Sequence, residues 1–229
     1  MKILVIDIGG THIKLGLSRS LRRTKLPSGR ELTPQQLVQS VSEATARWRF
    51  EAISIGYPGP VRDGKPAQEP RNLGRGWVRF DFAKAFGKPV RIINDAAMQA
   101  LGSYRGGRML FLGLGTGLGT ALVTNGVVEP LELGHLPYRH GKSYEDYLGK
   151  RGLQQLGKKR WRAHVECVVR MLRAALLADY VSLGGGNVKK LGRAPRGTRV
   201  TSNAHAIIGG IRLWETPDRR KEVRLWRPR

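Results

Sequence analysis

Apolar positions along the chain gather in short runs separated by glycine and polar residues, and most runs have the length of a strand. Ile3-Leu-Val-Ile-Asp-Ile-Gly-Gly-Thr-His-Ile-Lys-Leu-Gly-Leu17 is an apolar run, a turn of glycine and threonine, then a second run of small and branched residues. It predicts a β-hairpin whose turn leaves backbone N–H groups uncovered by side chains. Met109-Leu-Phe-Leu-Gly-Leu-Gly-Thr-Gly-Leu-Gly-Thr-Ala-Leu-Val123 overlays it residue for residue. Two hairpins of one design imply two lobes of related build, with facing turns able to hold a phosphate chain. Backbone donors suit an anion there, and Thr11 and Thr116 add hydroxyl donors. Neither hairpin has phosphate-loop spacing, and neither turn leads straight into a helix.

Between and after the hairpins, strands alternate with helices. Thr33-Pro34 opens a helix in which Leu37, Val41, Ala44 and Trp48 share a face. Ala52-Ile-Ser-Ile-Gly reads as a strand entering the loop Tyr57-Pro-Gly-Pro-Val61. A glycine- and arginine-rich loop with Asn72 and a short helix near Asp81 to Phe86 lead to the strand Lys88-Pro-Val-Arg-Ile-Ile93. That strand runs into Asn94-Asp95 and the helix Ala96-Ala-Met-Gln-Ala-Leu101. Asp95 is either that helix's cap or a base for a substrate proton. Further on, Val165, Val168, Leu172 and Leu176 recur at helical spacing, Tyr180-Val-Ser-Leu is a strand entering Gly184-Gly185-Gly186-Asn187, and a helix closes the pattern over 204–214. The order argues an α/β fold. Ligands of such folds gather at strand carboxyl ends, where Asp7, Gly59, Asn94, Asp95 and Gly184 fall. The expected division is a lobe over 1–102 on which the closing helix 204–214 packs, a lobe over 103–203, and a basic tail over 216–229.

Composition adds a partner class. Hydrophobic residues make up 40% of the 229, which suits a soluble globular chain. No apolar run reaches membrane-spanning length. Asp7 interrupts the first run too early for a signal peptide, so cytoplasm is expected. Cys167 is the single cysteine, which rules out an internal disulfide and a cysteine-rich zinc site and predicts a packed core thiol. Lys and Arg number 41 against 17 acids, a formal charge of +24. Such an excess attracts polyanions such as nucleic acid, anionic lipid or inorganic polyphosphate. It is clustered at Arg19, Arg22, Arg23, Lys25 and Arg30, at Lys150, Arg151, Lys158, Lys159, Arg160 and Arg162, at Lys189, Lys190, Arg193, Arg196 and Arg199, and in the tail.

The two hairpins differ where Asp7 overlays Gly113. An acid beside a phosphate cradle is repulsive unless a cation intervenes, so Asp7 reads as a direct or water-mediated partner of Mg²⁺. Its other reading is an acid satisfied by turn amides.

In this order and spacing the motifs resemble the ROK family of sugar kinases and repressors, from Ile3 to about Trp214. They are Asp7-Ile-Gly9-Gly10-Thr11-His-Ile-Lys14, Gly56-Tyr-Pro-Gly59-Pro-Val, Asn72-Leu, Asn94-Asp95-Ala, Gly115-Thr116-Gly117-Leu-Gly, Glu132-Leu-Gly-His135 and Leu183-Gly184-Gly185-Gly186. The resemblance implies the actin-like ATPase fold, two RNase H-like lobes around a cleft. It implies that Asp95 accepts the proton of a sugar 6-hydroxyl, that Gly59, Asn72, Asn94, Glu132 and His135 surround the sugar, and that Asp7, Gly9, Gly10, Thr11, Lys14, Gly115, Thr116 and Gly117 hold the donor, with Gly184–Gly186 near a nucleotide base. Many relatives carry a zinc-binding cysteine cluster after the Gly-His pair. Leu136 to Lys150 has no cysteine, so no zinc is expected, and Glu145 takes the place of a further sugar-binding glutamate.

This pattern is more similar to the polyphosphate glucokinases, whose anionic donor suits the basic clusters. The expected function is transfer of a phosphoryl group from inorganic polyphosphate, and ATP, to the 6-hydroxyl of glucose, with Mg²⁺. A homodimer is compatible with the resemblance. The alternatives are an ATP-dependent kinase of mannose, fructose or an N-acetylated sugar, and a non-catalytic polyanion- or nucleic-acid-binding protein on a kinase fold. Nucleic acid is the weaker partner class, because no basic motif is interleaved with aromatics. The family's repressors carry an N-terminal helix-turn-helix, for which a first strand at Ile3 leaves no room.

Overall fold

A computed structural model describes residues 1–202 and 204–215; the basic tail expected over 216–229 lies outside them. The first half contains β1 (Ile3–Ile8), β2 (His12–Leu17), β3 (Arg23–Pro27), α1 (Pro34–Ala44), β4 (Ala52–Tyr57), the ribbon β5 (Val61–Arg62) and β6 (Lys65–Pro66), α2 (Phe82–Phe86), β7 (Val90–Asn94) and α3 (Asp95–Ser103). The second contains β8 (Arg108–Leu114), β9 (Leu118–Thr124), β10 (Val127–Leu131), the ribbon β11 (Pro137–Arg139) and β12 (Lys142–Ser143), α4 (Tyr144–Leu148), α5 (Lys150–Ala175), β13 (Tyr180–Gly184), β14 (Thr198–Val200) and α6 (His205–Arg212). Two five-stranded sheets result, in the orders β3-β2-β1-β4-β7 and β10-β9-β8-β13-β14. In each, the first three strands in sequence are antiparallel and the rest run parallel to the central strand.

The duplication is therefore larger than the two hairpins, because each gains a third strand. β3 and β10 escape a hydrophobic-run reading because both are edge strands: β3 alternates exposed and half-buried residues, and β10 carries Pro130.

The central strands are buried on both faces, as covered parallel strands must be. Leu4, Ile6 and Ile8 of β1 pack with Leu37 and Val41 of α1, while Ile3 and Val5 join Ala206 and Ile207 of α6. Leu110, Leu112 and Leu114 of β8 pack with α5, while Met109 and Phe111 join Ala97, Met98 and Ala100 of α3. The layers run α1, first sheet, the α3–α6 pair, second sheet, α5, so one apolar cluster is common to both sheets. Within the pair, backbone meets backbone: a Cβ on Gly102 would strike the His205 carbonyl, and one on Gly209 the Met98 carbonyl.

Two local expectations need correction, and one helix is interrupted. α1 has its capping box, with Thr33 accepting from the Gln36 amide, but it ends at Ala44. Trp48 belongs to the turn beyond it, its amide donating to the Thr45 carbonyl. α5 is broken at Gly157, whose φ of 70° no helix accommodates. Cys167 is half-buried against the Met171 sulfur at 3.7 Å, because it sits beside the apolar stripe of Val165, Val168 and Leu172, not on it.

Candidate active site

The parallel strands β1, β4, β7, β8 and β13 deliver Ile8, Tyr57, Asn94, Leu114 and Gly184 at their carboxyl ends. β7 passes directly into α3, and the cap of that helix falls to the residue before Asp95. Asn94 is the cap: its Oδ1 accepts from the Ala97 amide at 3.1 Å, and its Nδ2 donates to the Gly59 carbonyl at 3.1 Å. Asn94 thus ties the Tyr57–Pro60 loop to the helix and keeps one amide hydrogen over. Asp95 accepts from the Ala96 amide through Oδ1 at 2.8 Å and is only part-buried. Its second oxygen has no hydrogen-bond partner among the described residues.

Glycines make room for the first turn of α3 on both sides. A Cβ on Gly56 of β4 would strike the Met98 side chain, and one on Gly119 of β9 would lie 2.6 Å from the Ala96 Cβ. The N-terminus of α3 is thereby wedged between the two sheets. Desolvation in that position, reinforced by the charge of nearby Asp7, pushes the Asp95 carboxyl up to about 7; the Ala96 amide and Lys14 pull the other way.

Asp7 is buried, 3% exposed, and pairs with the Lys14 ammonium at 2.8 Å across the β1–β2 ladder. Its partner is thus a lysine side chain, not the turn amides. Gly9, Gly10 and Thr11 form the turn, closed by the Gly9 amide on the His12 carbonyl, and Gly10 and Thr11 are exposed. Asn72 stands beside this turn, its Cβ 3.6 Å from where a Gly10 Cβ would be.

The second turn, Gly115, Thr116 and Gly117, is one residue tighter: residues 115–117 separate the paired Leu114 and Leu118, whereas residues 9–12 separate Ile8 and Ile13. The straight overlay of the two sequences therefore slips by one after the turn, and Lys14 has Gly119, not Thr120, as its counterpart. Gly185, at φ 86°, lies against the Leu114 backbone, and Asn187 donates to the Gly115 carbonyl at 2.7 Å. Gly184 and Gly186 flank it, so the Gly184–Gly186 turn and the second hairpin form one glycine-lined surface. The Lys150 amide donates to the carbonyls of Gly115 and Thr116 at 3.0 and 3.2 Å, which roots Lys150 there too.

Glu145 lies on α4 with its Oε2 accepting from the Leu118 amide at 3.0 Å, and its carboxylate fills the space a Gly117 side chain would need. Glu132 and His135 bound the short turn Leu133–His135, where Gly134 packs on the Leu118 carbonyl. They pair with each other at 3.6 Å, are half exposed, and bond to no other site residue among those described. Sequence reasoning missed Arg71, whose guanidinium lies 4.0 Å from the Glu145 carboxylate. Its position beside Asn72 was the one available signal.

Residues 3–138, more than half of the chain, match the family model described as ROK family. The chain belongs to the ROK family. It is 27% identical over 234 residues to a polyphosphate glucokinase of Mycobacterium leprae, covering 89% of this chain and 72% of that protein. It is 30% identical over 150 residues to a glucokinase of Pyrobaculum calidifontis, covering 58% of this chain and about half, 49%, of that protein's length. Among solved structures, the inorganic polyphosphate/ATP-glucomannokinase of Arthrobacter sp. strain KM superposes with a TM-score of 0.77 at 23% identity, covering 94% of this chain and 99% of that one. The fold is the actin-like ATPase fold, as the sequence led us to expect. Among the described residues no helix is long and apolar enough to cross a membrane.

Proposed function

We propose that this ROK chain is a hexokinase-type phosphotransferase that uses inorganic polyphosphate, and ATP, to phosphorylate the 6-hydroxyl of glucose. The carrying observation is Asp95: a part-buried carboxylate at the junction of both sheets, with one oxygen uncommitted and its pKa pushed up to about 7. A base near neutrality can accept a proton in the transition state and release it afterwards. The sugar O6–H proton passes to Asp95 as O6 bonds to the terminal phosphorus. The bond from that phosphorus to its bridging oxygen breaks, and the electron pair leaves on the shortened donor. The turns at Gly9–Thr11 and Gly115–Gly117 offer the amides of Gly10, Thr11, Thr116 and Gly117 to the phosphates, those of Gly9 and Gly115 being spent within the turns. Asn72, Asn94, Glu132 and His135 offer the donors and acceptors that sugar hydroxyls need.

Asp7 fits Mg²⁺ as a single hard carboxylate, with Oδ1 left over from the Lys14 bond. Among the described residues no group of three or more His, Cys, Asp or Glu is placed to hold a metal, so donor phosphates and water would complete the shell. Bound there, the ion would neutralise developing phosphate charge.

Polyphosphate use is supported by cations around the second turn. Lys150 starts at Gly115, Lys189 and Lys190 extend the turn that begins at Gly186, and the Arg162 Nε donates to the Lys190 carbonyl. None of these four has a carboxylate partner among the described residues.

A matrix of glucose, mannose, fructose and N-acetylated sugars against ATP and long-chain polyphosphate tests the assignment. Glucose with polyphosphate is expected to give the highest kcat/KM, and the apparent polyphosphate affinity is expected to fall steeply with ionic strength. No turnover for any pair, with the fold intact, would sink the assignment.

A further inference from the structure

Arg71 belongs to no motif discussed above, yet it adjoins a residue beside one glycine turn and pairs with a residue beside the other. At its backbone end it adjoins Asn72, which stands against Gly10 of the first turn. At its guanidinium end it meets Glu145, whose carboxylate abuts Gly117 and accepts from the Leu118 amide of the second. This ion pair joins the two halves.

The pair is loose. At 4.0 Å it is longer than a hydrogen bond, and the Arg71 side chain is 78% exposed with no other ion-pair or hydrogen-bond partner among the described residues. An exposed pair of this kind contributes little stability. Glu145 stays in place through the Leu118 amide whether or not Arg71 is near it.

We propose that Arg71 is a donor-phosphate clamp, parked on Glu145 in the free protein and transferring to the phosphoryl oxygens of the donor when it enters between the turns. A guanidinium fork can grip a phosphoryl group through two parallel N–H···O bonds, which a lysine cannot reproduce. A multiply charged phosphate displaces a single half-exposed carboxylate as its partner. The clamp rests on the phosphotransferase reading above but has a binding readout of its own.

The test measures tripolyphosphate, ATP and glucose binding by calorimetry on the full chain for wild type, Arg71→Ala, Arg71→Lys and Arg49→Ala. Arg49 is an exposed arginine preceding β4, at the end of the sheet away from the turns, and controls for bulk charge. Thermal melts verify that each variant is folded. Arg71→Ala is expected to weaken tripolyphosphate and ATP by about tenfold or more, as loss of charge-assisted bonds does, with glucose affinity unchanged. Arg71→Lys should recover only part, and Arg49→Ala should bind as wild type. In turnover assays Arg71→Ala should raise the donor KM and leave the glucose KM in place. Unchanged tripolyphosphate affinity in Arg71→Ala, equal losses in Arg49→Ala, or no donor binding by wild type each overturns the clamp. Binding that depends on Arg71 without phosphorylation of any sugar would instead keep the clamp and refute the phosphotransferase.

Discussion

One pair below the turn, the first hairpin holds Asp7 opposite Lys14, whereas the second holds Gly113 opposite Gly119. The ladder, the strand order and the buried central strand are common to both halves. The ion pair gives the first sheet a buried charge beside Asp95. The glycine pair gives the second sheet an indentation, into which Ala96 presses the start of α3. Charge on one side and vacancy on the other together place a carboxylate where water is scarce and a neighbouring acid repels it. The two halves of this duplicated scaffold thus diverge at one equivalent cross-strand pair.

Replacing Asp95 with Asn tests the product of that divergence and should have the largest effect. Turnover is expected to fall by about 10² or more while glucose affinity by calorimetry is kept. Lys14→Met attacks the charged side. It strips the buried Asp7 of its cation, so kcat/KM for the donor should drop by about tenfold, and the acidic limb of the pH–rate profile should move upward. Gly119→Val attacks the indentation: the added methyls collide with Ala96, and thermal or urea unfolding should register a loss of about 1–3 kcal/mol.

The smallest effect is on stability with pH. Asp95 titrates near 7 folded and near its ordinary 3.8 unfolded, so the native state holds a proton that the unfolded chain releases between those values. Folding is therefore opposed most above pH 7, and the opposition fades as pH falls toward 4. The melting temperature of Asp95→Asn, relative to wild type, should be highest above pH 7 and converge with it in acid. The same titration predicts a wild-type kcat/KM that declines tenfold per unit below about pH 7.

How much of this was legible in sequence follows from what each element needs. β1 and β8 are largely apolar runs leading into glycine turns, because both their faces are covered, and such runs announce themselves. β3 and β10 lie at sheet edges, where half the side chains meet solvent, so no apolar signature was available to find. Thr33-Pro34 and Asp81 marked helix starts through local capping chemistry, which is read within four residues. The break of α5 at Gly157 had a glycine but no flanking turn signal. In the site, residue types and order pointed to Asp7, Asp95 and the glycine turns. The roles of Asn94, Glu145 and Arg71 depend on partners 35, 27 and 74 positions away along the chain, respectively. Spacing within a motif carries no trace of such partners.

The crossing of α3 and α6 has a mechanical corollary. Where Gly102 and Gly209 bring two main chains into touch, the helices are pinned by the Arg212 guanidinium, which donates to the carbonyls of Leu101, Gly102 and Tyr104, so the sheets can swing only about that pin. α3 also carries Asp95 at its opposite end. A rotation at that bearing would advance or withdraw the Asp95 carboxylate itself, coupling the opening angle of the molecule to its reach.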